Sequence, residues 1–111
     1  MEKFVYIVVH TTGTNEDYFE YVVGVTDSEK RASLYAKKVA EIVNRSEHYY
    51  FSADQIKCRA YELNQILLER NLPIENIREL GTNPLKEVVL YRSNGWALVP
   101  TEQMRKVKEG E

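Results

Sequence analysis

The chain is short of cysteine, histidine, proline and glycine, and each shortage removes a class of protein. One cysteine, Cys58, cannot close a disulfide within the chain or build a cysteine-cluster zinc site. It points to a reducing compartment, so a cytoplasmic location is expected. The two histidines, His10 and His48, have no third ligand at metal spacing, and each fits a strand-end or surface position better than a coordination site. Five glycines and three prolines among 111 residues exclude a collagen-like or linker-like chain. No apolar run reaches the ~18 residues of a membrane span. Met1-Glu2-Lys3 leads straight into a β-like stretch, so no signal peptide is expected. Nucleophile-elbow, zinc-protease, P-loop and dinucleotide fingerprints are all missing. The acidic pairs Glu16 with Asp17 and Glu75 with Glu79 fall on expected surface segments. The expectation is a protein without catalysis and without a cofactor or metal.

What is present suits a single folded domain spanning residues 1–111. At 13.0 kDa such a chain buries about two thirds of its surface, enough for a core without staples. A net charge of −2 argues against a generally basic surface, so duplex nucleic acid is not an expected partner. Basic residues do cluster locally, at Lys30, Arg31, Lys37 and Lys38, at Lys57 and Arg59, and at Arg105, Lys106 and Lys108. These read either as solvated faces or as part of a local anion pocket. Eight tyrosines, three phenylalanines and one tryptophan exceed what so small a core needs. Some must face an interface or a pocket wall.

Residues 3–10 are β-branched and aromatic, and period two makes both faces of this strand apolar. Gly13 and Asn15 mark a loop, and residues 18–26 form a second strand, paired with the first as an antiparallel hairpin. Thr26-Asp27-Ser28-Glu29 has capping-box spacing, with Asp27 or Ser28 as alternative caps. Ala32, Tyr35, Ala36, Val39, Ile42 and Val43 then define an amphipathic helix over about 28–45. Ser52-Ala53-Asp54-Gln55 repeats the capping pattern and opens an expected second helix over about 53–70. Its stripe is Ile56, Ala60, Leu63 and Leu67, widened by Cys58, Tyr61, Ile66 and Leu68. Pro73 to Leu80 reads as one helical turn or as an extended connector. Asn94-Gly95 between two β-like runs predicts a two-residue hairpin turn. That register sets Ser93 against Trp96, Arg92 against Ala97, Tyr91 against Leu98 and Leu90 against Val99. Residues 101–111 read as a tail that can remain flexible.

The order β-β-α-α-β-β implies an α+β fold, an antiparallel sheet with two amphipathic helices packed on it. The terminal hairpins are apolar on both faces. Either the helices split between the faces or one face meets another subunit. The preferred reading is an oligomer formed through the aromatic face of the last hairpin, Val89, Tyr91, Trp96 and Leu98.

Binding has better material than catalysis. Flat bases need aromatic partners, and phosphates need Arg, Lys or backbone N–H groups. Tyr49, Tyr50 and Phe51, together with Tyr91, Arg92, Asn94 and Trp96 at the hairpin end and Arg105 in the tail, supply both and form the candidate ligand site. Each also has a plainer role. Trp96 suits a core or interface anchor, Arg92 an edge-strand solubilising charge, and the Tyr-Tyr-Phe run packing beneath a helix connection.

Phe4-Val-Tyr-Ile-Val-Val-His10, Val22-Val-Gly-Val-Thr26 and Asp27 to Lys38 together resemble a frame found in small phage and prophage proteins. There, two strands end in a G-V-[FT]-x-S-x-x-x-A pattern that leads into the first helix. The resemblance covers about the first 40 residues. It implies an oligomeric α/β sponge of the Thoeris anti-defence or anti-CBASS type, which sequesters a cyclic nucleotide signal without chemistry. The alternative partner is a host defence protein such as a CRISPR effector or nuclease.

Overall fold

The structure, a computed structural model, describes residues 3–13, 15–46, 53–63 and 84–109. Strand β1 (Phe4–Thr12) and strand β2 (Phe19–Thr26) form the expected antiparallel hairpin, joined through Gly13 and a 3-10 turn at Asn15–Asp17. Gly13 is required there. Its φ is +79°, and a Cβ would lie 2.2 Å from the Asp17 carbonyl oxygen. Helix α1 (Glu29–Asn44) begins at Ser28, whose hydroxyl accepts from the Arg31 N–H at 3.2 Å. Thr26 Oγ1 accepts from the Ser28 N–H one step earlier. Ser28 is therefore the cap, chosen over Thr26 and Asp27.

The second expected helix is instead strand β3 (Gln55–Glu62). Ile56 and Ala60 sit four apart, which satisfies a helical stripe, but Ile56, Cys58 and Ala60 also alternate with Lys57, Arg59 and Tyr61 at period two. Tertiary pairing decides between the two periods. β3 lies between β1 and strand β4 (Lys86–Ser93), with ladders on both sides, and its residue types carry only a weak helical preference against that. The stripe positions Ile66, Leu67 and Leu68, and the 73–80 element, lie outside the described residues.

Strand β5 (Leu98–Pro100) and helix α2 (Glu102–Glu109) complete the described chain. The sheet order is β2-β1-β3-β4-β5, antiparallel throughout. The fold is thus α+β, with a five-stranded sheet and two helices among the described residues. The segment expected as a tail is instead the second of these helices, anchored by buried Met104. No described helix is long and apolar enough to cross a membrane.

Both helices lie on the same sheet face. The core gathers Ala32, Ala36, Ala40 and Val43 of α1, Met104 of α2, and Val8, Ile56, Cys58, Leu90, Tyr91 and Leu98 of the sheet. Small residues along α1 let its backbone sit close to the strands. At Gly24 the Tyr35 ring takes the space of a side chain, since a Cβ would fall 2.7 Å from Tyr35 Cδ2. Ile42, expected in the stripe, is exposed. A β-bulge explains how two consecutive residues of β4 reach the core. Ile56 faces Tyr91 and Lys57 faces Val89, so Leu90 is the extra residue and is buried beside Tyr91.

The last hairpin is two residues out of its expected register. Ser93 faces Leu98, Arg92 faces Val99 and Tyr91 faces Pro100. Asn94 causes the shift. Its Oδ1 accepts from the N–H groups of Trp96 (2.9 Å) and Ala97 (3.0 Å), which draws the turn out to four residues, with Gly95 at φ +96°. A two-residue shift keeps Tyr91 and Leu98 on a common face. They share the helix-covered face and are buried, whereas Val89 lies on the opposite face beside Lys57 and Trp96 lies in the turn, so the aromatic face expected to join subunits does not form.

α1 is tied to β5 by one side chain. Asn44 Nδ2 donates to the Leu98 carbonyl at 3.0 Å, and its Oδ1 accepts from the Leu98 N–H at 2.8 Å, as a neighbouring strand would. Asn44→Ala removes both bonds and is expected to cost about 1–3 kcal/mol, at about 0.5–1.5 each, in chemical denaturation. An unchanged midpoint would show that the clamp contributes nothing.

Candidate functional site

The least expected feature lies at the sheet end where α1 finishes. His10, at the end of β1, is 1% exposed, and Asp54, just before β3, is fully buried. His10 Nε2 is 2.8 Å from Asp54 Oδ2, and His10 Nδ1 is 2.8 Å from the Tyr21 hydroxyl. Strand pairing sets this up. His10 is the register partner of Tyr21 on β2 and of Ile56 on β3, so the three groups converge on one face. The rings of His10 and Tyr21 meet edge-on, centroids 5.2 Å apart. In the neutral imidazole, the carboxylate selects the Nε2–H tautomer, which leaves Nδ1 to accept the Tyr21 proton. Burial, and secondarily the Asp54 charge, push the Tyr21 pKa up. The phenol therefore stays protonated at neutral pH. The chain Asp54–His10–Tyr21 holds an edge-strand side chain in one position and does not generate a phenolate.

The opposite sheet face carries an ionic cluster. Arg59 donates from Nη1 and Nη2 to Glu20 at 3.2 and 3.0 Å and from Nε to Glu87 at 2.8 Å, which links β2, β3 and β4 across the sheet. Lys57 lies 3.5 Å from Glu87, and the Tyr18 hydroxyl donates to Glu20 at 3.0 Å. The guanidinium holds both carboxyls below the usual range, and Glu20 in turn raises the Arg59 pKa. Among the described residues, no other element covers this face, where Val22 and Val25 are exposed.

Among the described residues, those expected to bind ligand do not gather into one site. Tyr49, Tyr50 and Phe51 lie outside the described residues. Tyr91 is buried beneath α1. Arg92 is exposed on the open face between Gln55 and Val99. Asn94 shapes the hairpin tip, and Trp96 stands on that tip 87% exposed. Arg105 is exposed on α2, its Nη2 3.4 Å from the Pro100 carbonyl. Cys58 is buried as expected, and burial pushes its pKa up to about 11, which leaves it an unreactive thiol at neutral pH. Among the described residues, no three His, Cys, Asp or Glu side chains gather into a metal-ligand set.

Sequence reasoning missed the His10–Asp54–Tyr21 chain, because Asp54 read as part of a helix cap. The available signal was a histidine ending an otherwise apolar strand, where burial demands a partner. Comparison with protein-family models, curated proteins and solved structures finds no match.

The Arg59 cluster makes a pH prediction. Glu20 and Glu87 have folded pKa values below their ordinary 4.5. Their stabilisation is complete above the unfolded value and is lost as pH falls through the folded ones. Arg59→Met removes the cause. Its unfolding free energy should fall less steeply between about pH 5 and 3 than that of the unaltered protein, by up to about 1 kcal/mol per exposed pair. Parallel urea-unfolding profiles over that range would show that the pairs contribute nothing.

Proposed function

We propose that this protein works by binding and sequestration, without chemistry of its own, and that Trp96 is its principal recognition residue. The observation that carries this reading is the indole at 87% exposure on an ordered turn. Asn94 Oδ1 accepts from the N–H groups of Trp96 and Ala97, fixing the peptide on each side of Trp96, and Ser93 Oγ accepts from the Gly95 N–H at 3.0 Å. The turn presents the ring to solvent instead of tucking it against the core. A tryptophan held out in this way contributes nothing to folding, and tryptophans in such positions dominate many interfaces.

The resemblance to small phage proteins implies two target classes, a cyclic nucleotide signal and a host defence protein. The hairpin favours the protein. A nucleotide needs a concave slot between flat groups, whereas Trp96 projects from a turn and Tyr91 faces away from it. The exposed indole favours a protein partner, and the resemblance to phage proteins would make that partner a host defence protein. Sequestration of a cyclic nucleotide is the alternative, and would rest on Tyr49, Tyr50 and Phe51.

Trp96 is the sole tryptophan, so its fluorescence reports the tip directly. Trp96→Ala is expected to leave stability within about 0.5 kcal/mol. With the unaltered protein and this variant as baits in a bacterial lysate, mass spectrometry should find a protein retained by the first and lost by the second. The affinity difference should be about 30-fold or more, as for a hot-spot residue. Calorimetry against cyclic di- and oligonucleotides is expected to give no heat. Nucleotide binding that shifts Trp96 emission would overturn the protein-partner reading in favour of the sponge. Equal retention by both baits would remove Trp96 from recognition.

A further inference from the structure

We propose that two copies of the chain pair through strand β2, joining their sheets edge to edge into one ten-stranded sheet. β2 is an outer strand of the described sheet, with one side of its backbone ladder unpaired. Natural edge strands are usually blunted by lysine, proline, a short length or a covering element. β2 has eight residues, Phe-Glu-Tyr-Val-Val-Gly-Val-Thr, with neither lysine nor proline. Its side chains are exposed on both sheet faces. Phe19 (60%) and Tyr21 lie on the helix side, and Val22 (57%) and Val25 (58%) on the open side. An edge that is apolar above and below suits a partner strand apolar on both faces, and a second β2 is one.

Charge and topology favour the second copy over other occupants. Glu20 is the only charged residue of β2, and its pairing with Arg59 of the same chain compensates it only in part. Two such edges can approach in a register that keeps the two Glu20 carboxylates apart. The other outer strand, β5, has three residues, ends at Pro100, and has the backbone of Leu98 occupied by Asn44. Head-to-tail β2-to-β5 pairing, which would grow into a filament, is therefore blocked, and the β2-to-β2 arrangement closes on a two-fold axis.

The register is also constrained. Residues opposed across an antiparallel pair must share a face. A register centred on Glu20 sets the two carboxylates against each other. One centred on Tyr21 sets each Glu20 against Val22 of the second copy and the two Tyr21 rings against each other. The Asp54–His10 pair then fixes the residue at the axis. The bulge at Val23, where Val9 faces Val22 and Val8 faces Gly24, ends the straight run used for this pairing.

Sedimentation at micromolar concentration tests this. The unaltered protein should run at twice 13.0 kDa. Val22→Glu places a carboxylate opposite Glu20 of the second copy and should sediment as the 13.0 kDa species with an unchanged circular dichroism spectrum. Val22→Lys places an opposite charge there and should remain a dimer. A monomeric unaltered protein, or a Val22→Glu variant that still dimerises, would overturn the proposal. Dissociation of both variants would overturn the Tyr21-centred register.

Discussion

A carboxylate taken out of water costs several kcal/mol unless a partner and hydrogen bonds compensate it. Asp54 is fully buried, so its surroundings must be held in place for the fold to exist. It meets that demand from a position that touches most of the sheet. Its side chain binds His10 at the end of β1, and its carbonyl accepts from the Ser93 N–H of β4 at 3.0 Å. Through His10 the chain continues to Tyr21 on β2. One residue just before the central strand thus ties together three others, at the end where the hairpin tip and the β1–β2 loop emerge. The surfaces proposed for recognition and pairing are set by that junction.

The arrangement divides the molecule by role. The helix-covered face packs the small residues Ala32, Ala36 and Ala40 of α1 against Val8, Ile56, Leu90 and Tyr91 of the sheet. Among the described residues, several other aromatic and aliphatic side chains are exposed. Trp96 goes to the tip of the last hairpin, and Phe19, Tyr21, Val22 and Val25 go to the outer strand. Large apolar side chains left in solvent at these two places are the physical basis of the recognition and pairing surfaces proposed above.

Much of this was legible in the residues. The first hairpin and α1 followed from period-two and period-3.6 patterns with clear stop and start signals. β3 did not, because Ile56 and Ala60 satisfy both periods and only pairing on two sides chooses between them. The hairpin at Asn94-Gly95 was found, but its register depended on whether the Asn94 side chain would bond its own loop, which dipeptide preference cannot tell. The ligand residues were less legible still. Tyr91 and Trp96 are near neighbours in sequence, and one lies in the core while the other stands in solvent. The buried His10–Asp54 pair joins residues 44 apart, beyond the reach of any local pattern.

The claim on which these readings converge is that His10 is locked as the Nε2–H tautomer between Asp54 and Tyr21. Imidazole proton–nitrogen correlation NMR at neutral pH tests it most directly. A protected, slowly exchanging Nε2–H proton bonded to Asp54 is the expected result. A rapidly exchanging Nε2 proton, or no proton on Nε2, would contradict it.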